Sequence, residues 1–557
     1  MKKKLLIFGV LATLLFTGCG GSEKEAVGTA EGTGTQVEQS GKIDKNQEIN
    51  LFIQAEPKTL DPSKGTDSYS SQILIKITEP LVTTSVDENG GEKIAPAGAE
   101  SWTVSEDKLV YTFKIRDMKW EDGQAVTAND YAYGMLRTLD PNTGSIYAFL
   151  MSPIKNADQY NAGKAEKESV GIKVLDEKTL QITLGTETPY MMQLAYFPTF
   201  FPQRKDMVDK YGDRYGTEAE TLLSCGPFKL EKWVHSNKVI FVKNDSYWDK
   251  GNVILTKLTF SIVTDENSRM NLMFNGQMDM GSVTKPEWVD KFQSTGDFDT
   301  TIKYELGTNY SYFNQTNKYF KNAKIRRAFS LAINRDELND VIFNGKFEPA
   351  YGFVARGISV GDKLYENEPL KEVKGDAKEL LKEGLEELGL STNPADMDIT
   401  YLASGSSSWN RKYAEYMQQS FLKTLGVNMK AEFVEWPVFQ KRVQEMDYEF
   451  AGAAWTGDYN DPNTFLDLWM STNSIVNTGY KSEKYDELLK KAAKTTDSDE
   501  RTEYFKQAER LLLVEDATIA PTLYRKKNTL IRKYVKGYNP SVIQKFDYKG
   551  VYISGRE

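Results

Sequence analysis

Apolar residues in this chain come in short periodic groups, and the period changes from two to about 3.6 along its length. In the first third, Leu109, Tyr111, Phe113 and Ile115 alternate with Val110, Thr112 and Lys114. Leu180, Ile182 and Leu184 alternate likewise, and Lys238 to Val242 is a short β-branched run. Glu121-Asp122-Gly123 is a turn signal, and Thr127 to Asp130 read as the polar start of a helix. The second half carries amphipathic stripes instead. Asp376 caps a helix in which Ala377, Leu380, Leu381, Leu385 and Leu388 share one face, and Gly389 ends it. Tyr413, Tyr416, Met417, Phe421 and Leu425 form a second stripe, stopped by Gly426; Ile325, Ala328, Phe329 and Ala332 form a third, and Arg501 to Asp516 a fourth. Strand-like runs at Ile399–Leu402 and Val427–Val434 lie between them, and this alternation predicts an α/β body. With about 510 residues behind the N-terminal segment, two or three domains are expected.

That N-terminal segment is a separate matter. Lys2, Lys3 and Lys4 precede an apolar run from Leu5 to Phe16, followed by Thr17, Gly18 and Cys19. The layout is that of a secretory signal peptide over residues 1–18, and the run is too short to span a bilayer. Residues 19–47 are rich in Gly, Ser, Thr, Glu and Gln and predict a flexible tether. The formal net charge is −9, and no basic stripe of the kind that grips nucleic acid is present. Of two cysteines, Cys225 reads as a small core residue, so no internal disulfide is expected.

Residue patterns for catalysis are scarce. The single histidine, His235, stands beside a strand-like run, and no G-x-S-x-G elbow accompanies it. Ser282 to Lys285 match S-x-x-K without a K-T-G partner. There is no C-x-x-C and no H-E-x-x-H, and the loop from Asp458 lacks the glycine and acidic positions of a calcium site. The chain reads as one that holds something rather than transforms it, with no cofactor. The most distinctive stretch runs from the small apolar residues Phe450–Ala454 through Trp455 to Thr456-Gly457-Asp458-Tyr459-Asn460-Asp461-Pro462. It predicts a buried strand ending in a glycine turn with a carboxylate at its tip, which either caps the turn or pairs with a ligand cation.

These residues resemble the oligopeptide-binding family of ABC importers. The likeness runs through Thr59-Leu60-Asp61-Pro62, Lys119-Trp120-Glu121-Asp122-Gly123, Val126 to Tyr131, Leu139 to Thr143, Gly226-Pro227-Phe228, Tyr247-Trp248-Asp249, Ile325 to Ala328, Ile333 to Asp336, and Trp455 to Pro462. Cys19 likewise resembles a lipobox cysteine, with Phe16 where that motif usually has Leu. The resemblance implies a large two-lobed α/β fold of the periplasmic-binding-protein type (type II, cluster C) with an extra inserted N-terminal subdomain. It divides the chain into lobe I (48–78, 207–306 and 524–557), lobe II (79–206) and lobe III (307–523). It further implies a monomer, lipid-anchored at Cys19 on the outer face of the cytoplasmic membrane of a Gram-positive bacterium. Such a monomer closes on extended oligopeptides and hands them to a permease and its ATPase.

By position, Asp458 resembles the carboxylate that pairs with the peptide's α-ammonium. Trp455, Trp436, Tyr147 and Tyr310 resemble aromatic or hydroxyl contacts, and Gly65, Thr66, Asp67 and Ser68 resemble backbone contacts of the N-terminal lobe. The chain departs from enteric members at four positions. Gly307 and Thr456 replace a disulfide pair, and Gly452 and Asn410 replace an Arg and a His that take the peptide's C-terminal carboxylate. Three alternatives stay open: a signalling-peptide receptor feeding the same importer, a secreted peptide or cell-wall hydrolase, and a structural surface lipoprotein.

Overall fold

The structure, a computed structural model, describes residues 42–65, 67–86, 92–283, 285–361, 363–405, 408–473, 475–495, 497–539 and 548–556. The signal peptide, Cys19 and Thr66 lie outside the described residues. Three sheets organise the rest, and each carries its own apolar core. The periodicity that builds them is the expected one. Tyr111, Phe113 and Ile115 turn inward along strand Val110–Ile115. Helix Ala377–Glu387 buries Leu381, Gly384 and Leu385 behind an Asp376 cap that accepts from the Lys378 and Glu379 N–H groups.

An N-terminal sheet runs in the order Glu48–Ile53, Lys257–Ile262, Lys238–Lys243, Phe228–Val234; the first pair is parallel and the others antiparallel. The inserted subdomain is an antiparallel sheet ordered Ala99–Val104, Val110–Ile115, Thr179–Thr183, Ile172–Asp176. Helix Ala128–Leu139 packs on it through Tyr131, Met135 and Leu139. The large sheet is ordered Met280–Val283, Ile519–Arg532, Phe298–Phe313, Phe450–Thr456, Ile399–Ser404, Met429–Val434. Its helices, among them Ala323–Ala332 and Ser408–Leu425, bury one face each. The C-terminal helix is regular over Ser498–Arg510 and widens over Leu511–Glu515. The whole is a two-lobed α/β fold with an inserted subdomain.

The long strands of the large sheet tie two lobes together. Strands Phe298–Phe313 and Ile519–Arg532 pair along most of their lengths, broken by a bulge between Tyr304 and Thr308, where Leu306 takes φ 46°. The boundaries expected at 306/307 and 523/524 fall inside these strands. Of the segment expected as a tether, 19–47, residues 42–47 are described. Gln47 is 5% exposed, and its side-chain amide exchanges two hydrogen bonds with the Ile553 backbone, each 2.9 Å. The Asp44 carboxylate accepts from the Gly555 and Arg556 N–H groups. No described helix is long and apolar enough to cross a membrane.

Candidate functional site

A cavity of about 200 Å³ opens where the three bodies meet. The N-terminal body supplies Asp67, Ser68, Ser71 and Ile75 from the start of helix Ser68–Ile77. Asp67 is the cap of that helix: its carboxylate accepts from the N–H groups of Tyr69 and Ser70 and from the Ser70 hydroxyl, at 2.7–3.0 Å. The inserted subdomain supplies Tyr147, Tyr196, Phe197, Pro198 and Phe201, with Tyr147 stacked on Phe197 at 5.6 Å. The large-sheet lobe supplies Trp455, Thr456, Gly457 and Asp458. Two carboxylates therefore face an aromatic chamber, and among the described residues no lysine or arginine lines it. Burial, then the charges of Asp458 and Asp67, push the Tyr147 phenol well above its ordinary pKa.

Strand Phe450–Thr456 ends at this cavity with one edge open. One side pairs with Phe298–Phe313 over its full length, from Phe313↔Phe450 to Gly307↔Thr456. On the other, Ile399–Ser404 pairs only with Phe450 and Ala451. Among the described residues, Gly452 to Thr456 thus have no strand partner on that edge, a template for one more strand. Small residues keep that stretch clear. A Cβ on Gly452 would lie 1.8 Å from the Tyr401 hydroxyl, so any side chain there would displace the Tyr401 ring. Gly307 and Thr456, where those members have a disulfide, are direct cross-strand partners.

The turn carrying Asp458 is held from several directions. Gly457 N–H donates to Leu306 O in the bulge (2.9 Å), and Asp458 N–H donates to the Thr464 hydroxyl (2.9 Å). The Trp455 indole N–H donates to Thr464 O (2.8 Å), leaving the ring to line the cavity. Beneath the turn, Asp461 and Arg501 form a buried ion pair that includes Arg501 Nη2 to Asp461 Oδ1 at 2.9 Å. Nearby Asp467 is pushed up to about 8, by burial first and then by the charge of Asp458. It accepts from Asn463 Nδ2 (3.2 Å) and the Tyr459 hydroxyl (3.4 Å).

Of the residues expected from sequence, the structure brings Asp458, Trp455, Tyr147, Asp67 and Ser68 together at the cavity. Three others sit elsewhere. Tyr310 is 2% exposed and packs edge-on against Phe353 and Trp469 in the core, because it lies in a central strand covered on both faces. Trp436 is 53% exposed and stacks on Phe439 outside the cavity. Gly65 is buried behind the helix cap, donating to Asp61 O. Tyr196, Phe197, Pro198 and Phe201 are additions that the sequence reading lacks, although Tyr196 to Phe201 is the densest aromatic run in its region. His235 lies on the surface, 2.8 Å from Glu56 and 3.2 Å from Glu218, and Cys225 is fully buried.

A family model, Bacterial extracellular solute-binding proteins, family 5 Middle, matches residues 93–477. The chain belongs to that family. The dipeptide-binding protein DppE of Bacillus subtilis is 32% identical over 96% of each chain. The substrate-binding domain of an oligopeptide ABC transporter from Bacillus anthracis is 33% identical and superposes with a TM-score of 0.81, covering 92% of this chain and 100% of its own. The murein tripeptide-binding protein MppA of Escherichia coli, 28% identical, gives 0.81 over 92% of this chain and 100% of its own. The unliganded open form of MppA gives 0.67 over 92% and 99%. This chain superposes less well on that open form than on the other MppA structure.

Proposed function

We propose that the chain is the substrate-binding component of an ABC importer: it captures short peptides outside the cell and delivers them to the permease and its ATPase. The observation that carries this reading is Asp458, a carboxylate at the end of an open strand edge, inside an aromatic cavity shared by three bodies. A peptide adding to the edge of Gly452–Thr456 bonds through N–H and C=O groups that every peptide has, so capture is blind to sequence. Its α-ammonium arrives at Asp458, with Asp67 and the faces of Tyr147 and Trp455 around it. The membership of the family and the names of the relatives support the same conclusion. The role is binding, in keeping with the family of solute-binding proteins.

In the closed cavity the ammonium loses water and needs a paired charge. Asp458→Asn keeps the shape and removes that charge. Losing one partner of such a pair costs about 3–5 kcal/mol, on the order of two to three decades in Kd. Titration calorimetry with free and N-acetylated peptides is the test. Wild type should bind the acetylated form about as poorly as the variant binds the free form, and the two losses should not add. Equal binding of both forms by wild type would remove Asp458 as the anchor. The lipid anchor at Cys19 belongs to the same proposal. Metabolic labelling with an alkyne fatty acid should tag wild type and spare Cys19→Ser, and an unlabelled wild type would refute it.

A further inference from the structure

The segment Tyr190–Phe197 of the inserted subdomain faces two ways. Tyr196 and Phe197, at its end, line the cavity. Tyr190, at its start, does not; it stacks on Tyr459 with ring centroids 4.7 Å apart and planes 10° from parallel. Tyr459 follows Asp458 directly in the chain. It is 3% exposed, and it packs into the core of the inserted subdomain rather than into that of its own lobe. Asn463 Nδ2 reaches both rings, donating to the Tyr190 hydroxyl at 3.2 Å and the Tyr459 hydroxyl at 3.0 Å. The Tyr196 hydroxyl donates to the Asp458 carbonyl at 3.4 Å, and the Arg501 guanidinium lies 5.7 Å from the Tyr190 ring.

A carboxylate on an exposed turn swings with its backbone, and a swinging charge makes a poor anchor. Here the neighbouring residue is plugged into a different body. Separating the lobes withdraws Tyr459 from that core and frees the Asp458 turn on one side. This arrangement therefore does more than cover the cavity: it fixes the direction of the carboxylate within it.

We propose that Tyr190 is a positioning residue for the captured ligand. By gripping Tyr459 it holds the Asp458 turn in place and sets how long a bound peptide stays; this rests on the reading of the cavity as a peptide site. The inserted subdomain thereby acts on the anchor without Tyr190 touching the peptide. Affinity differences between variants of one interface lie mostly in dissociation, so the effect belongs in the off-rate.

The test uses purified protein stripped of co-purified peptide. It is loaded with a pool of random pentapeptides carrying free amino termini, or with the same pool N-acetylated, and release is followed by mass spectrometry after a chase. Tyr190→Ala should release the free-amine pool about tenfold faster, a loss of one well-packed aromatic pair, while association stays within about threefold. The preference for free over acetylated peptide should narrow in step. Tyr190→Phe, which keeps the stack, should stay near wild type. A folded Tyr190→Ala with wild-type release and wild-type preference overturns the proposal, as does one that only melts earlier. If Tyr190→Ala does not fold, Tyr459→Leu fills the same core without a stacking ring and is read identically. A wild type that retains both pools equally would remove Asp458 as the anchor and the proposal with it, whereas a wild type that retains neither pool would bring down the peptide reading itself.

Discussion

The inserted subdomain meets its neighbours on two sides, and the two interfaces are built from different chemistry. Against the N-terminal body it uses buried charge and hydroxyl networks. Arg137 grips Asp61 through two hydrogen bonds of 2.6 and 2.7 Å, with the two side chains 11% and 3% exposed. Gln203 accepts from the same guanidinium, and Ser63, Thr138 and Gln203 continue the network at 2.8 Å. Glu79 accepts from Tyr247 and Trp248 alongside. Against the large-sheet lobe its described contacts include a stacked tyrosine pair, the amide of Asn463, the Arg501 guanidinium over the Tyr190 ring and a 3.4 Å hydrogen bond. Opening the first interface would break a two-point ion pair and the hydrogen-bonded network behind it. Opening the second exposes rings, hydroxyls and a carbonyl that water can serve. Separation at the second interface therefore breaks no bidentate ion pair, whereas separation at the first would.

Breaking the permanent side should have the larger effect. Arg137→Met leaves the Asp61 carboxylate buried without its cation, at about 3–5 kcal/mol. That is a large share of a stability usually near 5–15 kcal/mol. Thermal unfolding should show the inserted subdomain melting early, as a separate step. A single transition at the wild-type temperature would mean that apolar packing alone holds this interface.

The separable side can be sharpened with pH. Asp467, under the Tyr190–Tyr459 contact, titrates at about 8 in the folded protein, against about 3.9 in an unfolded chain. Between those values the folded state holds the extra proton. Its contribution is complete below the unfolded value and is lost as pH rises through the folded one. One such group imposes at most about 1.4 kcal/mol per pH unit. Asp467→Asn imitates the protonated form, so melting temperatures of variant and wild type should diverge in the variant's favour from pH 5 to pH 9. Parallel curves would show that Asp467 is not the group responsible.

Much of this architecture is legible in the residues, and the exceptions share a cause. Strand Val110–Ile115 and helix Ala377–Glu387 follow from period and cap because each has one buried and one wet face. Tyr310 fails that logic. Its strand is covered on both sides, so alternation cannot say which face meets ligand and which meets core. The open edge of Gly452–Thr456 is likewise hidden in sequence, because it depends on where the neighbouring strand stops pairing. Tyr459 looks like part of a turn motif, yet it contributes to the core of another body. That fact belongs to the tertiary arrangement and to no local pattern. Asp458, by contrast, stands out early because glycine, carboxylate and tryptophan converge within a few residues.

The clasp between Gln47 and Ile553 bears on how such a chain comes to be folded at all. Gln47 waits for a partner 506 residues further on, and its carbonyl accepts from Thr256, 209 residues away. Contacts of such span close slowly. The strands of the N-terminal sheet are all present by Ile262, yet the clasp at its leading edge closes only once residue 553 has been made. That edge stays unfastened while the residues between are made, and Ile553 is the buckle that closes it.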